Sequence, residues 1–85
     1  MERPHPDRTV DATGTFCPVP IIETAKVARE LAPGQVILVL ATDPGIESDV
    51  PVWCKGTGNE HLGTEAEDGV WRSWIRIGGP RAGRS

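Results

Sequence analysis

Runs of apolar and polar residues predict two β-strands in the first half of the chain. Val10 and Ala12 lie two positions apart, on one face of a short strand predicted at 9–13. The segment QVILVLA, at 35–41, contains five consecutive large apolar residues. A run of this length and composition is typical of a strand that is buried on both faces, so we expect 35–41 at the centre of a sheet.

Between these strands, apolar residues recur with the 3.6-residue period of an amphipathic helix. We predict this first helix at 18–32, with charged residues on its opposite side. Pro33 and Gly34 end it, because the residue before a proline avoids helical backbone angles and glycine suits a helix C-terminus. The apolar side comprises Ile21, Thr24, Ala25, Ala28, Leu31 and Ala32.

A second helix is predicted after the buried strand, on the same 3.6-residue period. Two starts fit the sequence: Ser48 or Asp49 could cap the helix, or it could begin at Asp43-Pro44. Gly56 and Gly58 end it. Its apolar side comprises Ile46, Val50, Trp53, Cys54 and Thr57.

The last third of the chain is predicted to form a β-hairpin. Segments 61–67 and 70–77 flank Asp68-Gly69, a dipeptide that suits the positive φ angles of a tight turn. The predicted order is therefore βαβαββ. The helix between the first two strands favours a parallel pair, whereas the hairpin strands are antiparallel. We expect an α/β two-layer sandwich, with a mixed four-stranded sheet and two helices on one face.

The predicted elements form a single domain at 9–77. Residues 1–8 contain two prolines and no apolar period, so we interpret them as a flexible N-terminal arm. Residues 78–85 are rich in glycine and arginine, and we expect them to form a disordered C-terminal tail.

Composition narrows the classes of function. The 85 residues carry a formal net charge of −3, and residues 9–77 contain ten acidic side chains against five basic ones. A domain with this balance is not expected to bind nucleic acid directly, which requires a clustered positive face. No apolar run reaches membrane-spanning length and no secretory signal opens the chain, so we expect a soluble, cytoplasmic monomer with no membrane partner.

The chain has two cysteines, Cys17 and Cys54, which are too few for a disulfide framework. They share no metal-ligand spacing with His5 or His61, so we expect two free thiols, no metal site and no cofactor. Cys54 lies on the apolar side of the second helix, which favours a core position over a role as a resolving thiol.

Cys17 lies in the segment GTFCPVPIIETAK, at or just before the start of the first helix. A helix N-terminus favours a thiolate, so we expect the pKa of Cys17 to lie below its ordinary value. Pro18 and Pro20 suit the first turn, but they remove two backbone N–H groups that could hold an anion. A stiffly presented thiol suits sulfur exchange with a partner protein, whereas a small apolar residue at a helix start is the structural alternative.

Five other side chains have a structural interpretation and a functional alternative. Asp43 and Asp49 suit turn and capping positions, and a role toward the substrate is the alternative. Lys26 suits a solvated helix surface, with partner docking as the alternative. His61 ends the loop into the third strand, where a structural role is favoured over proton transfer. Trp74 shares a strand face with two arginines. If that face is exposed it is a candidate interaction patch, and if the C-terminal tail covers it, Trp74 belongs to a core.

Three segments, VDATGTFCPVPIIETAK, LATDPGIESDVPVWCKGTGNEH and the closing WIRI, match a pattern in which Cys-Pro-x-Pro opens a helix. Through these segments, the sequence resembles the TusA/SirA-type sulfur-carrier family, and the resemblance extends over residues 9–77. The resemblance implies a two-layer α/β fold and a persulfide on the motif cysteine. It also implies a cysteine-desulfurase-like or rhodanese-like sulfur-donor protein and an acceptor sulfurtransferase, in pathways such as tRNA thiolation, sulfur oxidation or molybdenum-cofactor supply.

The residue that the resemblance implies as the persulfide carrier is Cys17. The supporting motif positions are Pro18, Pro20, Lys26, Asp43, Pro44, Asp49 and Pro51. The chain departs from the family pattern at Thr13, where arginine is common, and at Thr15, where leucine is common. We expect a sulfurtransferase. Two alternatives stay open: a non-catalytic interaction or regulatory module in which Cys17 is a buried cap, and a thiol redox protein that uses Cys17 and Cys54.

Overall fold

Six elements follow one another in the order that the hydrophobic pattern predicts. The structure, a computed structural model, describes residues 4–78. The elements are β1 (Arg8–Ala12), α1 (Val19–Ala28), β2 (Val36–Ala41), α2 (Ile46–Thr57), β3 (Glu60–Glu67) and β4 (Val70–Arg76). Of the predicted arm and tail, residues 1–3 and 79–85 lie outside the described residues, and β1 begins at Arg8, one position before the predicted strand.

The four strands form one mixed sheet in the order β1-β2-β4-β3. β1 and β2 are parallel, and β4 runs antiparallel to both of its neighbours, β2 and β3. β2 therefore lies inside the sheet, as its continuous apolar run predicts. The hairpin turn is also confirmed, since Asp68 and Gly69 have φ angles of 54° and 79°.

The hydrophobic core fills the space between one face of the sheet and the two helices. Alternate residues of the strands point to this face, because side chains along a strand alternate between its sides. Each fully buried Val or Ile contributes about 1.5–3 kcal/mol relative to an exposed position. The buried core residues are Val10, Ala12, Ile37, Val39, Ala41, Ile46, Val50, Cys54, Ile75 and Ile77, with Ile21, Val27, Ala28 and Leu31 of the first helical region packed against them. The predicted α/β two-layer architecture is confirmed.

Helix α1 is shorter than the predicted span of 18–32. It ends at Ala28, after which the backbone N–H groups of Glu30 and Leu31 donate to carbonyls three residues back. The backbone N–H of Ala32 donates to the Gln35 side chain at 2.7 Å. The chain thus leaves the helix through turns before Pro33-Gly34, because the proline prevents another α-helical turn.

Helix α2 begins at Ile46, with Gly45 at its N-cap, so capping by Ser48 or Asp49 is a wrong prediction. The turn that opens at Asp43 runs directly into the helix, because the N–H of Ile46 donates to the Asp43 carbonyl at 3.2 Å. Asp49 consequently lies in the first turn of α2, where a carboxylate is compatible with the helix dipole.

Trp74 lies on the sheet face opposite the helices. It pairs with Leu38 on β2 and with Gly63 on β3, and it is only 7% exposed. The structure therefore favours the buried alternative over an exposed interaction patch. His61 has a structural contact, as predicted, since its Nε2 hydrogen-bonds Thr64 Oγ1 at 2.7 Å, but it lies inside β3 and not in the preceding loop. Within residues 4–78, no helix is both long and apolar enough to cross a membrane.

Candidate functional site

The site lies beyond the carboxyl ends of the two parallel strands. Ala12, the last residue of β1, pairs with Ala41, the last residue of β2. Because parallel strands end at the same edge of the sheet, the loops that follow them are neighbours. Cys17 and Asp43, which are 26 positions apart in sequence, therefore come together.

Short hydrogen bonds fix the loop that carries the cysteine. Thr15 Oγ1 donates to the Ala12 carbonyl at 2.6 Å, and the backbone N–H of Gly14 donates to Thr42 Oγ1 at 2.9 Å. Gly14 has a φ of 81°, a left-handed conformation that glycine adopts without a steric penalty. The Thr15 hydroxyl thus holds the loop against the end of β1.

The Asp43 carboxylate joins this loop to the start of α2. Its Oδ2 accepts a hydrogen bond from the Cys17 backbone N–H at 2.8 Å, and its Oδ1 accepts one from Gly45 N–H at 3.0 Å. These two bonds, that from Gly45 first, lower the pKa of Asp43. The predicted turn role of Asp43 is confirmed, and the same carboxylate also holds the backbone of the candidate carrier residue.

The Cys17 side chain is exposed, and a second carboxylate, that of Asp49, affects the pKa of its thiol. A hydrogen bond to the Asp49 side chain raises the pKa of Cys17, and desolvation and the negative charges of Asp49 and Asp43 raise it further. The prediction that the helix N-terminus lowers this pKa is therefore wrong. The helix begins only at Val19, whereas the carboxylates lie at the thiol itself.

The two carboxylates approach one another beside a residue that has no side chain. A Cβ atom at Gly45 would lie 3.3 Å from Asp43 Oδ1 and 3.6 Å from Asp49 Oδ2. Sequence reasoning missed the effect of Asp49 on the pKa of the thiol, because it treated Asp49 as a helix cap. The available signal was the position of Asp49 one turn into α2, directly after a loop that the parallel strands place beside Cys17.

The motif prolines lie at the start of α1. Pro18 occupies the N-cap with a φ of −101°, and the peptide bond between Cys17 and Pro18 is cis. Pro20 is buried, and its carbonyl accepts a hydrogen bond from Thr24 Oγ1 at 2.7 Å. Pro18 does not begin the helix, but Pro20 lies in the first turn as expected.

The remaining motif positions are outside the thiol's hydrogen-bond network. Lys26 forms an exposed ion pair with Glu23 at 3.2 Å, which agrees with its interpretation as a solvated helix charge. Pro44 is exposed in the turn before α2, and Pro51 lies inside α2.

Cys54 contrasts with Cys17. It is only 2% exposed and belongs to the hydrophobic core, as the helical period predicts. Burial raises the pKa of Cys54 to about 12. Within residues 4–78, no group of three or more His, Cys, Asp or Glu side chains is arranged to hold a metal ion.

Large apolar side chains are exposed around Cys17. Phe16 is 74% exposed and directly precedes the cysteine, and Val19 and Ile22 lie one turn apart on α1. Val52, 71% exposed, lies three residues after Asp49 and therefore on the same side of α2. We call these four residues the apolar rim. Exposed apolar groups beside a reactive side chain are typical of a surface that a partner covers.

A protein-family model matches this chain. The family described as Sulfurtransferase TusA matches residues 8–77, which include every element of the fold and both cysteines.

Individual proteins are similar over the same region. The sulfur carrier protein TusA of Pseudomonas entomophila is 47% identical over 70 residues, which is 82% of this chain and 88% of that protein. YrkF of Bacillus subtilis is 46% identical over 70 residues, but the matched part is 38% of its length. The chain thus spans about two fifths of some of its curated relatives.

A solved structure has the same fold. The crystal structure of a SirA-like protein from Desulfitobacterium hafniense superimposes with a TM-score of 0.70 and 32% sequence identity. The superposition covers 84% of this chain and 97% of that protein.

Proposed function

The chain belongs to the TusA sulfurtransferase family, and from this premise we propose that it relays sulfane sulfur as a persulfide on Cys17. One observation carries the proposal: of the two cysteines, Cys17 is exposed on a hydrogen-bonded loop, whereas Cys54 is buried in the core. Thiol exchange requires access and a thiolate, and Cys17 has the access. The interpretation of Cys17 as a buried cap does not fit its exposure, and no observation favours a redox pair with Cys54.

The transfer needs no external oxidant or reductant. The Cys17 thiolate attacks the outer sulfur of a donor persulfide, R–S–SH, and forms a new S–S bond. The S–S bond of the donor breaks, and the donor leaves as the thiolate R–S⁻. In the second step an acceptor thiolate attacks the outer sulfur of the Cys17 persulfide. Cys17 then leaves as a thiolate, and the acceptor carries the sulfur.

The carboxylates at the thiol restrain both steps. Negative charge from Asp49 and Asp43 disfavours the Cys17 thiolate, which is the attacking group in the first step and the leaving group in the second. A loaded Cys17 therefore releases sulfur slowly to small thiols in solution. A partner that brings positive charge to the carboxylates would relieve this restraint. On this proposal Asp43 positions the Cys17 backbone and Asp49 holds the thiol.

The partners we propose are a cysteine-desulfurase-like or rhodanese-like donor and an acceptor sulfurtransferase. The apolar rim around Cys17 supports a protein partner, because large exposed apolar groups gain stability when a partner removes them from water. The acidic balance of residues 9–77 gives no support for direct binding to nucleic acid. We further propose that the carrier acts as a monomer in the cytoplasm and requires no cofactor.

Loading with inorganic polysulfide tests the function. Intact mass should show one added sulfur atom on the parent protein, and peptide mapping should place it on Cys17. The Cys17→Ser variant should take up none, and the Cys54→Ser variant should load like the parent. The loaded protein should then pass its sulfur to an acceptor thiol. Equal loading of Cys17→Ser and the parent would contradict the proposal.

A further inference from the structure

A groove of about 330 Å³ runs between α1 and α2. Ala25, Ala28 and Arg29 line it on the side of α1, and Trp53, Thr57 and Asn59 line it on the side of α2. The groove exists because the two alanines that face α2 are small. Its volume is in the range of small binding pockets, although it is open to solvent along its length.

The polar side chains of the groove differ in whether they already bind other described residues. Thr57 Oγ1 donates to the Trp53 carbonyl at 2.6 Å and accepts from Asn59 Nδ2 at 2.9 Å, and Asn59 Oδ1 accepts from the Gly78 N–H at 2.8 Å. Arg29 is exposed, and its guanidinium forms no ion pair within residues 4–78. The groove thus combines an apolar wall with one uncommitted cation.

The groove is continuous with the apolar rim around Cys17. Trp53 directly follows Val52, and Ala25 lies one turn after Ile22 on α1. Cys17 lies two residues before α1 and Arg29 directly follows it, so they lie at opposite ends of a helix of about 15 Å, at 1.5 Å per residue. A partner surface of about 800 Å² can cover both places at once.

Charge differs between the two ends of this surface. The end at Cys17 carries the Asp43 and Asp49 carboxylates, and the groove end carries the Arg29 guanidinium. A complementary partner is therefore basic opposite the cysteine and acidic opposite the groove. Tryptophan and arginine, both present here, are also the residues most enriched among those that dominate binding energy at protein interfaces.

We propose that the groove between α1 and α2 is a second docking point for the protein that exchanges sulfur with Cys17, and that it receives an apolar side chain flanked by a carboxylate that pairs with Arg29. This inference rests on the proposed function and adds a contact remote from the sulfur. The Arg29 contact fixes the orientation in which the partner's sulfur approaches Cys17. A misoriented encounter then fails, because exchange requires the two sulfurs to meet in attacking geometry.

The test compares protein donors with a small donor. Loading of Cys17 is followed with a cysteine desulfurase charged with cysteine, with a rhodanese charged with thiosulfate, and with inorganic polysulfide. For the faster protein donor, Arg29→Glu should lower loading at subsaturating concentration by about tenfold or more, the size expected when a close charge pair is reversed. The loss should be smaller in high salt. Polysulfide loading should change less than about twofold, because polysulfide needs no docking surface.

Two variants control for charge and for shape. Lys26→Glu makes the same charge change three residues earlier, in the last turn of α1, but Lys26 pairs with Glu23 and does not line the groove, so protein-donor loading should fall less than about threefold. Ala25→Met fills part of the groove without changing charge, and it should slow protein donors while polysulfide loading and the unfolding transition stay close to those of the parent.

Several outcomes would overturn the inference. The first is an equal fall in protein-donor loading in Lys26→Glu and Arg29→Glu. The second is an unchanged rate of protein-donor loading in Arg29→Glu. The third is a parent protein that is loaded by polysulfide but by neither protein donor. Self-association of the parent that Arg29→Glu abolishes would assign the groove to a second copy of the chain. Failure of polysulfide to load Cys17 would instead count against the proposed function, so the two failures are distinguishable.

Discussion

The two cysteines show how one functional group acquires different properties in different parts of a small fold. Both thiols have a raised pKa, but the causes differ. At Cys17 the first cause is a hydrogen bond to the Asp49 carboxylate, whereas at Cys54 the cause is burial. Burial cannot be relieved without opening the core. The effect of a carboxylate can be relieved by a cation that a partner brings, so only the Cys17 thiol can be controlled by docking.

The contrast follows from where each cysteine lies in the chain. Cys54 lies in the second half of α2, on the side that packs against the sheet. Cys17 precedes α1, on a loop at the edge where the parallel strands end. Packing of α2 against the sheet therefore buries Cys54, whereas the loop after β1 leaves the Cys17 thiol accessible.

The largest expected difference between the two cysteines is in alkylation. Near neutral pH, a small reagent should modify Cys17 at least about a hundredfold faster than Cys54, because Cys54 lacks both access and thiolate character. Peptide mass mapping over a time course measures the two rates. In denaturant the difference should disappear. Comparable rates in the native protein would show that α2 does not bury Cys54.

Replacement by serine should separate the two positions in stability. Cys54→Ser should lower the free energy of unfolding by about 1–3 kcal/mol, because it places a hydroxyl in an apolar site. Cys17→Ser, the matched change at an exposed position, should alter it by less than about 0.5 kcal/mol. Denaturant titration of both variants measures this. A larger loss at Cys17 would mean that its thiol supports the fold.

The lifetime of the Cys17 persulfide should depend on the Asp49 carboxylate. Asp49→Asn removes a negative charge beside the leaving sulfur, so sulfur loss to a small thiol should become about 3- to 10-fold faster. Glu47→Gln, in the same first turn of α2, is the matched control and should have little effect. Intact-mass measurements over time give the rate at which the persulfide decays. Identical decay rates in Asp49→Asn and Glu47→Gln would contradict the proposal that the Asp49 carboxylate slows sulfur release from Cys17.

The smallest expected effect concerns the presentation of Cys17. Pro20→Ala should lower the free energy of unfolding by about 1 kcal/mol, because alanine leaves the unfolded chain freer and buries slightly less surface. Loading by polysulfide should stay within about twofold of the parent. Alanine at position 20 has a backbone N–H that proline lacks, but an N–H in the first turn of α1 has no partner within the helix. A large fall in polysulfide loading would show that Pro20 tunes the reactivity of the thiol.

The sequence predicts the fold better than the electrostatics of the site. The period of α2 places Cys54 in the core, and the continuous apolar run places β2 inside the sheet, because both patterns reflect burial directly. The pKa of Cys17 depends instead on Asp49, which is 32 positions away in sequence and reaches the thiol through tertiary structure. Local reasoning considered the helix N-terminus alone, and the nearer carboxylates outweigh it.

The decisive experiment measures the pKa of the Cys17 thiol from the pH dependence of its alkylation in the Cys54→Ala background. We expect the pKa to fall from its raised value in Asp49→Asn and to stay unchanged in Glu47→Gln. A pKa that is unchanged or higher in Asp49→Asn would contradict the claim that carboxylates at the site restrain the thiol.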